Sequence, residues 1–172
     1  MPFDALIPSL ELKRMDFVAA GLTCTDERAE RVLFTKPYLS GDDLVIVSAT
    51  GNTITTLQDL QGKSIIVNEG YTADLYLSTI DGVTLVRLPA PADAFIALMS
   101  GRGDAFVTAQ STIQTFIKNN NQYHIAPIGN SPDGCSIALN KSSPLLLEKI
   151  QEALNTMEAD GTIAQLKKKW TL

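Results

Sequence analysis

Short runs rich in β-branched residues alternate with helix-patterned stretches along nearly the whole chain, and this alternation restricts the fold more than any other feature. The strand candidates are DFVAAG (16–21), LVIVSA (44–49), a run ending at Gly70, VTLVRLP (83–89), DAFVTA (104–109), HIAPIG (124–129) and CSIALN (135–140). Between them lie a helix from Phe3 with Asp4 as its expected N-cap, DERAERVL (26–33), a turn before Gly62, YTADLYLSTI (71–80), PADAFIALMSG (91–101) and QSTIQTFIKN (110–119). Two helices close the chain, at 143–160 and 162–170, with Gly161 between them as the left-handed C′ residue. The NNN run at 119–121 reads as a loop. Strands alternating with helices predict a mostly parallel α/β sheet covered on both faces.

Composition narrows the function classes. With 172 residues, 45% of them hydrophobic, the chain can form a core of its own, as one domain or two small lobes. The net charge of -5 and interspersed acids and bases give no footprint for nucleic acid or an anionic membrane. The one basic run, Lys167, Lys168 and Lys169, suits the negative end of a helix dipole. Cys24 and Cys135 lack metal-site or redox spacing, and whether they pair is not fixed by the sequence. MPFDALIPSL has neither the basic nor the apolar region of a secretory signal. His124 reads as a packed or capping residue and RGD at 102–104 as a turn, while Trp170 with Leu166 fits an apolar face closing on the core.

In open parallel sheets, ligands sit beyond the carboxyl ends of the strands. Three junctions here are polar. At the first, Thr23 ends a strand, Thr25 is a natural N-cap and Arg28 stands in the first helical turn, a donor set suited to a carboxylate. The alternative is a surface pairing of Arg28 with Asp26, Glu27 or Glu30. At the second, VNEGYTAD, Gly70 permits close backbone approach and Thr72 can cap the next helix; plain capping explains the pattern equally well. At the third, Thr108, Gln110 and Ser111 line the strand end.

Four stretches, taken in order, carry a resemblance: FDALIPSLELKRMDFVAAGLTCTDERAERVLFTKPYLSGDDLVIV, LQGKSIIVNEGYTADLYL, ALMSGRGDAFVT and LNTMEADGTIAQLKKKW. The whole chain resembles the C-terminal three quarters or so of the amino-acid-binding proteins of ABC transporters, solute-binding protein family 3. The resemblance implies an α/β, two-lobed, periplasmic-binding-protein-like fold of type II, with parallel-rich sheets and helices on both faces. Lobe one would comprise 1–46 and 137–172 and lack its first strands, lobe two 47–136, with crossing strands near 44–49 and 134–139.

By the same resemblance Arg28 grips the ligand α-carboxylate, Thr23 adds a hydroxyl, and backbone around Ala20 and Gly21 faces the ligand. Asn68, Gly70, Thr72 and Thr108 line the other lobe, and hinge-like closure brings the two sets around one small molecule. Two departures stand out: Ala109 occupies the position where the family carries an aspartate for the ligand ammonium, and the family's opening strand, helix and second strand have no counterpart. The expectation is either a piece of a longer protein or a lobe one completed by association with another chain, including homo-oligomers.

The function so implied is non-catalytic binding of a small polar or cationic amino acid for delivery to a membrane permease, in the periplasm or outside the cell. No cofactor and no metal is expected. Two rivals are weighed: a dehydratase-like enzyme acting on a small carboxylate, for which Glu69 is the only acid candidate, and a sensory or decoy domain that has lost its ligand.

Overall fold

The computed structural model describes residues 1–40, 42–52, 54–117, 122–128 and 134–170; the NNN run and the expected helix end at 118–119 lie outside them, as does Gly129. In chain order the elements are α1 (Leu6–Glu11), β1 (Phe17–Leu22), α2 (Asp26–Ala29), β2 (Val32–Phe34), β3 (Leu44–Ala49), β4 (Ser64–Asn68), α3 (Thr72–Ser78), β5 (Thr84–Leu88), α4 (Pro91–Met99), β6 (Ala105–Ala109), α5 (Gln110–Ile117), β7 (Tyr123–Pro127), β8 (Ser136–Asn140), α6 (Pro144–Ala159) and α7 (Thr162–Trp170). They form two compact units, Met1–Asp4 with Asp42–Pro132, and Ala5–Gly41 with Asp133–Leu172.

The first unit is a five-stranded sheet in the order β5-β4-β6-β3-β7. Its strands read as continuous apolar runs because both faces are covered. Alternate residues feed two cores. Leu44, Ile46, Ile65, Val67, Ala105 and Val107 pack with Ala73 and Leu77 of α3. Val45, Val47, Ile66 and Phe106 pack with Ala94, Phe95 and Leu98 of α4 and Ile113 of α5. Pro91 sits in the first turn of α4, where its missing N–H leaves no bond unmade.

The second unit is a three-stranded sheet, β1-β8-β2, with α1, α2, α6 and α7. Leu10 and, on β8, Leu139 and Ala138 are fully buried, and Val18, Leu22 and Val32 are nearly so. Gly21, at φ +65, sits where the register of β1 against β8 shifts between Val18 and Leu22, so the bulge re-aims the chain that leads to Thr23.

Four expectations are corrected. The sheets are not mostly parallel: β3 runs against both of its neighbours, β6 and β7, and β8 runs against both β1 and β2. The strands joined through α3 and α4 do keep one direction, β4 pairing in parallel with β5 and β6. Neither β3 nor β8 is entered from a helix, so nothing compels a parallel crossover there. DERAERVL is helical only to Ala29; Val32–Phe34 is a strand because its β-branched start finds a partner in β8, Leu33 facing Leu139. Asp4 does not cap α1, which follows directly on a 3₁₀ turn, Phe3–Ala5, and starts from Ala5 without a side-chain cap. Trp170 and Leu166 do not close on a core: they are 65% and 41% exposed, and α6 and α7 pack mainly on each other, with no fully buried residue in either.

Smaller expectations resolve as follows. Gly161 has φ +81 between α6 and α7, as a left-handed C′ residue should. The RGD stretch is the turn between α4 and β6, and Asp104 accepts from the Ser64 N–H at 2.8 Å. His124 is exposed on β7, opposite Ser48. Cys24 and Cys135 are not joined in a disulfide, and burial pushes the Cys24 thiol up, with the Asp26 carboxylate adding to the shift. Among the described residues no helix is long and apolar enough to cross a membrane.

Candidate functional site

In the second unit, the loop leaving β1 carries the first group of candidates. Thr25 has extended backbone and caps α2, its Oγ1 accepting from the Arg28 N–H at 3.3 Å. The cap and the short helix turn the Arg28 side chain back over its own loop, where Nη1 donates to the Thr23 carbonyl at 2.8 Å. Arg28 is only 4% exposed and Thr23 8%, whereas Ala20 and Gly21 are exposed. Burial lowers the guanidinium to about 10, an effect that Glu27 and Cys24 partly oppose, so Arg28 stays a cation at neutral pH. A buried cation beside a helix start can take an anion bidentately, which would offset its desolvation.

In the first unit, the turn after β4 carries the second group. Asn68 ends the strand, 1% exposed; its Nδ2 donates to the Leu88 carbonyl at 3.2 Å, while its buried Oδ1 has no hydrogen-bond partner among the described residues. Gly70 adopts φ +71, and a Cβ there would stand 2.8 Å from the Cβ of Asp4, so both conformation and space require glycine. The Tyr71 ring lies against Phe3 with centroids 4.4 Å apart. Thr72 is the first residue of α3, not its cap: Tyr71 holds the cap position, with no side-chain cap bond. The side chain that serves this turn is Asp74, whose Oδ2 accepts from the Gly70 N–H at 3.0 Å.

Sequence reasoning passed over Asp74. An acid at the third helical position, reaching back to an N–H before the helix, is the signal that would have found it. Thr108, at the end of β6, is 2% exposed and lies opposite Val45, while Ala109 packs against the apolar cluster around Leu44. Gln110 is exposed, and Ser111 is held by Asp42, which accepts from its N–H at 2.8 Å and its hydroxyl at 2.6 Å. Thr23 and Arg28 thus meet on one loop, and Asn68, Gly70 and Thr72 on one turn. Thr108 stands at the end of the strand that neighbours β4.

Over residues 1–172 the sequence matches the bacterial extracellular solute-binding proteins, family 3. The chain belongs to that family. It is therefore a solute-binding protein and not an enzyme, with a periplasmic or extracellular location. This family 3 protein is 34% identical to the ABC transporter arginine-binding protein 1 of Escherichia coli, over 98% of its own length and 71% of that relative. It is 30% identical to the L-cystine-binding protein TcyJ of the same species, over 98% of its own length and 64% of the relative's. Its fold superposes with a TM-score of 0.91 on an ancestral arginine-binding protein bound to arginine, at 36% identity, covering 99% of this chain and 77% of that one. The family 3 protein thus has the α/β, two-lobed periplasmic-binding-protein fold.

Proposed function

We propose that this protein binds a small polar or cationic amino acid for delivery to an ABC transporter permease in the membrane, with Arg28 as the carboxylate grip. The observation that carries this reading is a buried guanidinium turned onto its own loop by the Thr25 cap, in a chain one third identical to an arginine-binding protein. Thr23 supplies a hydroxyl beside it, and Ala20 and Gly21 supply backbone groups from the same loop. Asn68, Gly70, Thr72 and Thr108 make up the first unit's share of the contacts. In this reading the two units correspond to the two lobes of the fold.

The relatives bind arginine and cystine by their names, so L-arginine is the first probe and the other common amino acids follow. Isothermal titration should give saturable binding to one site, and Arg28→Ala should weaken it about 100-fold or more, because truncating one side of a buried charge pair leaves the other unpaired. Arg28→Lys should recover part of the affinity, as a point charge replaces the fork. Absence of binding by every common amino acid, or wild-type affinity in Arg28→Ala, would overturn the reading.

We also propose that copies of the chain associate through the second unit, where Phe17, Leu145 and Trp170 are 50%, 76% and 65% exposed. A strictly monomeric mass by size-exclusion chromatography with light scattering would exclude it.

A further inference from the structure

The turn at 68–72 is held from behind by a small polar network of Asp74, Ser78 and Arg87, which meets the candidate contact residues at the Gly70 N–H. Asp74, on the first turn of α3, is 5% exposed, and both of its carboxylate oxygens are engaged. Oδ2 accepts from the Gly70 N–H at 3.0 Å. Oδ1 accepts from Arg87 Nε of β5 at 2.9 Å and from the Ser78 hydroxyl at 3.4 Å, and Arg87 Nη2 donates to the same Ser78 oxygen at 2.9 Å. The Arg87 side chain is 44% exposed while that of Asp74 is 7% exposed, so the arginine brings a charge from the surface to a carboxylate that is almost out of water. A carboxylate so buried needs its lone pairs filled, and here every donor comes from an element that fixes the turn: Gly70 within it, Ser78 on α3, Arg87 on the neighbouring strand.

One internal bond, from the Tyr71 N–H to the Asn68 carbonyl at 3.1 Å, closes the turn around a left-handed glycine. Gly70 sits at φ +71, and no side chain caps α3 from Tyr71. Glycine loses more conformational freedom on ordering than any other residue, so a left-handed glycine needs an external restraint. The Glu69 N–H bond to the Leu88 carbonyl, at 3.0 Å, restrains the turn on the strand side; the Asp74 bond to Gly70 restrains it on the helix side.

We propose that Asp74, oriented by Arg87, is a positioning residue that keeps the 68–72 turn in its ligand-receiving conformation. This rests on the reading that Asn68, Gly70 and Thr72 contact the amino acid. Asp74 touches no ligand in this scheme; it raises the fraction of molecules whose turn is already formed. Apparent affinity scales with that fraction, so a turn formed in only about a tenth of molecules binds about tenfold more weakly with every contact intact.

The experiment uses the full chain and three variants: Asp74→Ala, Arg87→Met, and Asp59→Ala. The last is a control in the same unit, because Asp59 also restrains a turn, accepting from the Thr55 and Thr56 N–H groups at 3.0 and 2.9 Å. Two readouts are taken, the dissociation constant for L-arginine or whichever common amino acid the wild type binds, and exchange of the Gly70 amide proton without ligand. Asp74→Ala is expected to weaken binding about tenfold and to strip Gly70 of its protection. Arg87→Met should do both to a smaller degree. Asp59→Ala should lose stability yet keep wild-type affinity and wild-type Gly70 exchange, which separates positioning from general loosening.

Wild-type affinity in Asp74→Ala, a Gly70 amide that stays protected there, or loss of affinity in Asp59→Ala to the same extent would overturn the proposal. If Asp74→Ala fails to fold, Arg87→Met carries the test with the same two readouts, and no change in either overturns it. A wild-type chain that binds no amino acid, or that binds unchanged in Arg28→Ala, removes the underlying function and this role with it. Binding that needs Arg28 but is indifferent to Asp74 sinks the positioning role alone.

Discussion

The two units are built from the same kinds of element yet bury their apolar residues to different depths. In the first, each face of the five-stranded sheet has its own cluster, and Ile46, Ile65, Ile66, Ala105, Phe106 and Val107 are fully buried. In the second, the three-stranded sheet carries two helices, α6 and α7, without a fully buried residue, and Leu12, Phe17, Leu145, Leu146, Leu166 and Trp170 are exposed. Burial of apolar area is the main favourable term in folding, so the first unit has the larger share of it. The candidate groups follow the same division. Arg28 depends on a cap and a four-residue helix, whereas the 68–72 turn is set on the edge of a deep core.

That contrast fails first, if it fails, in the cores. Phe106→Ala removes a fully buried ring from the middle strand of the larger sheet and should cost about 3–5 kcal/mol, read as a fall in the urea midpoint. Leu139→Ala removes the corresponding fully buried side chain from β8, where the surroundings are thinner and can collapse around the gap. Its cost should fall near about 2 kcal/mol, the low end for such changes. Equal losses would mean that the smaller sheet is packed as rigidly as the larger.

Gly70→Ala probes a close approach within the first unit. The new Cβ meets Asp4 at 2.8 Å and the residue must keep φ +71, for which a non-glycine residue is disfavoured by about 1–2 kcal/mol before any clash. Gly21→Ala imposes the same backbone conformation in the second unit with nothing within 4 Å, so only the conformational part should appear. The difference between the two midpoints measures the close approach at Gly70.

How far all this could be read in advance depends on which physics decides each element. The cores were legible because LVIVSA, SIIVN and AFVTA each carry a continuous apolar run, which strands covered on both faces tolerate. The Thr25 cap was legible for a local reason, a hydroxyl three residues before an N–H that needs an acceptor. The fate of Val32–Phe34 was not, because a helical pattern and a strand propensity compete there and the decision lies with β8, more than a hundred residues away. Nor was the direction of β3, which is set by both of its partners in the sheet. At the second candidate group Thr72 drew attention as a hydroxyl beside a glycine, yet the bond to that glycine comes from Asp74. The exposure of Trp170 ran against its helical pattern, since a pattern shows which face is apolar and not whether anything covers it.

At concentrations low enough to keep the chain monomeric, Trp170→Ala should therefore move stability by no more than about 0.5 kcal/mol, the range of surface changes, because the ring of a single copy already meets water. A loss of about 3 kcal/mol or more would place the ring in a core and contradict the exposed face of α7.

The smallest expected effect compares one carboxylate from each unit in acid. Asp59 lies below its ordinary 3.8 because the Thr55 and Thr56 N–H groups donate to it. Glu11 lies below its ordinary 4.5 chiefly through its hydrogen bonds with Arg31, Nε donating at 3.0 Å. For both, the folded chain holds the proton less tightly than the unfolded chain, so the unfolded state binds more protons as the pH drops. The stability each contributes is present above its ordinary value and is lost as pH falls through the lowered one. Both side chains are open to solvent, so the effects are small, but salt distinguishes them. The Glu11–Arg31 pair is an exposed ion pair that added salt screens, whereas the Asp59 carboxylate is held by neutral N–H donors at short range. Glu11→Gln should therefore flatten the acid limb of the stability curve at low salt and hardly at all at 1 M salt. Asp59→Asn should flatten it at both. If salt abolished the Asp59 effect as well, long-range charge would govern the turn in the deeper unit, and the two units would not differ at their surfaces in the way their cores do.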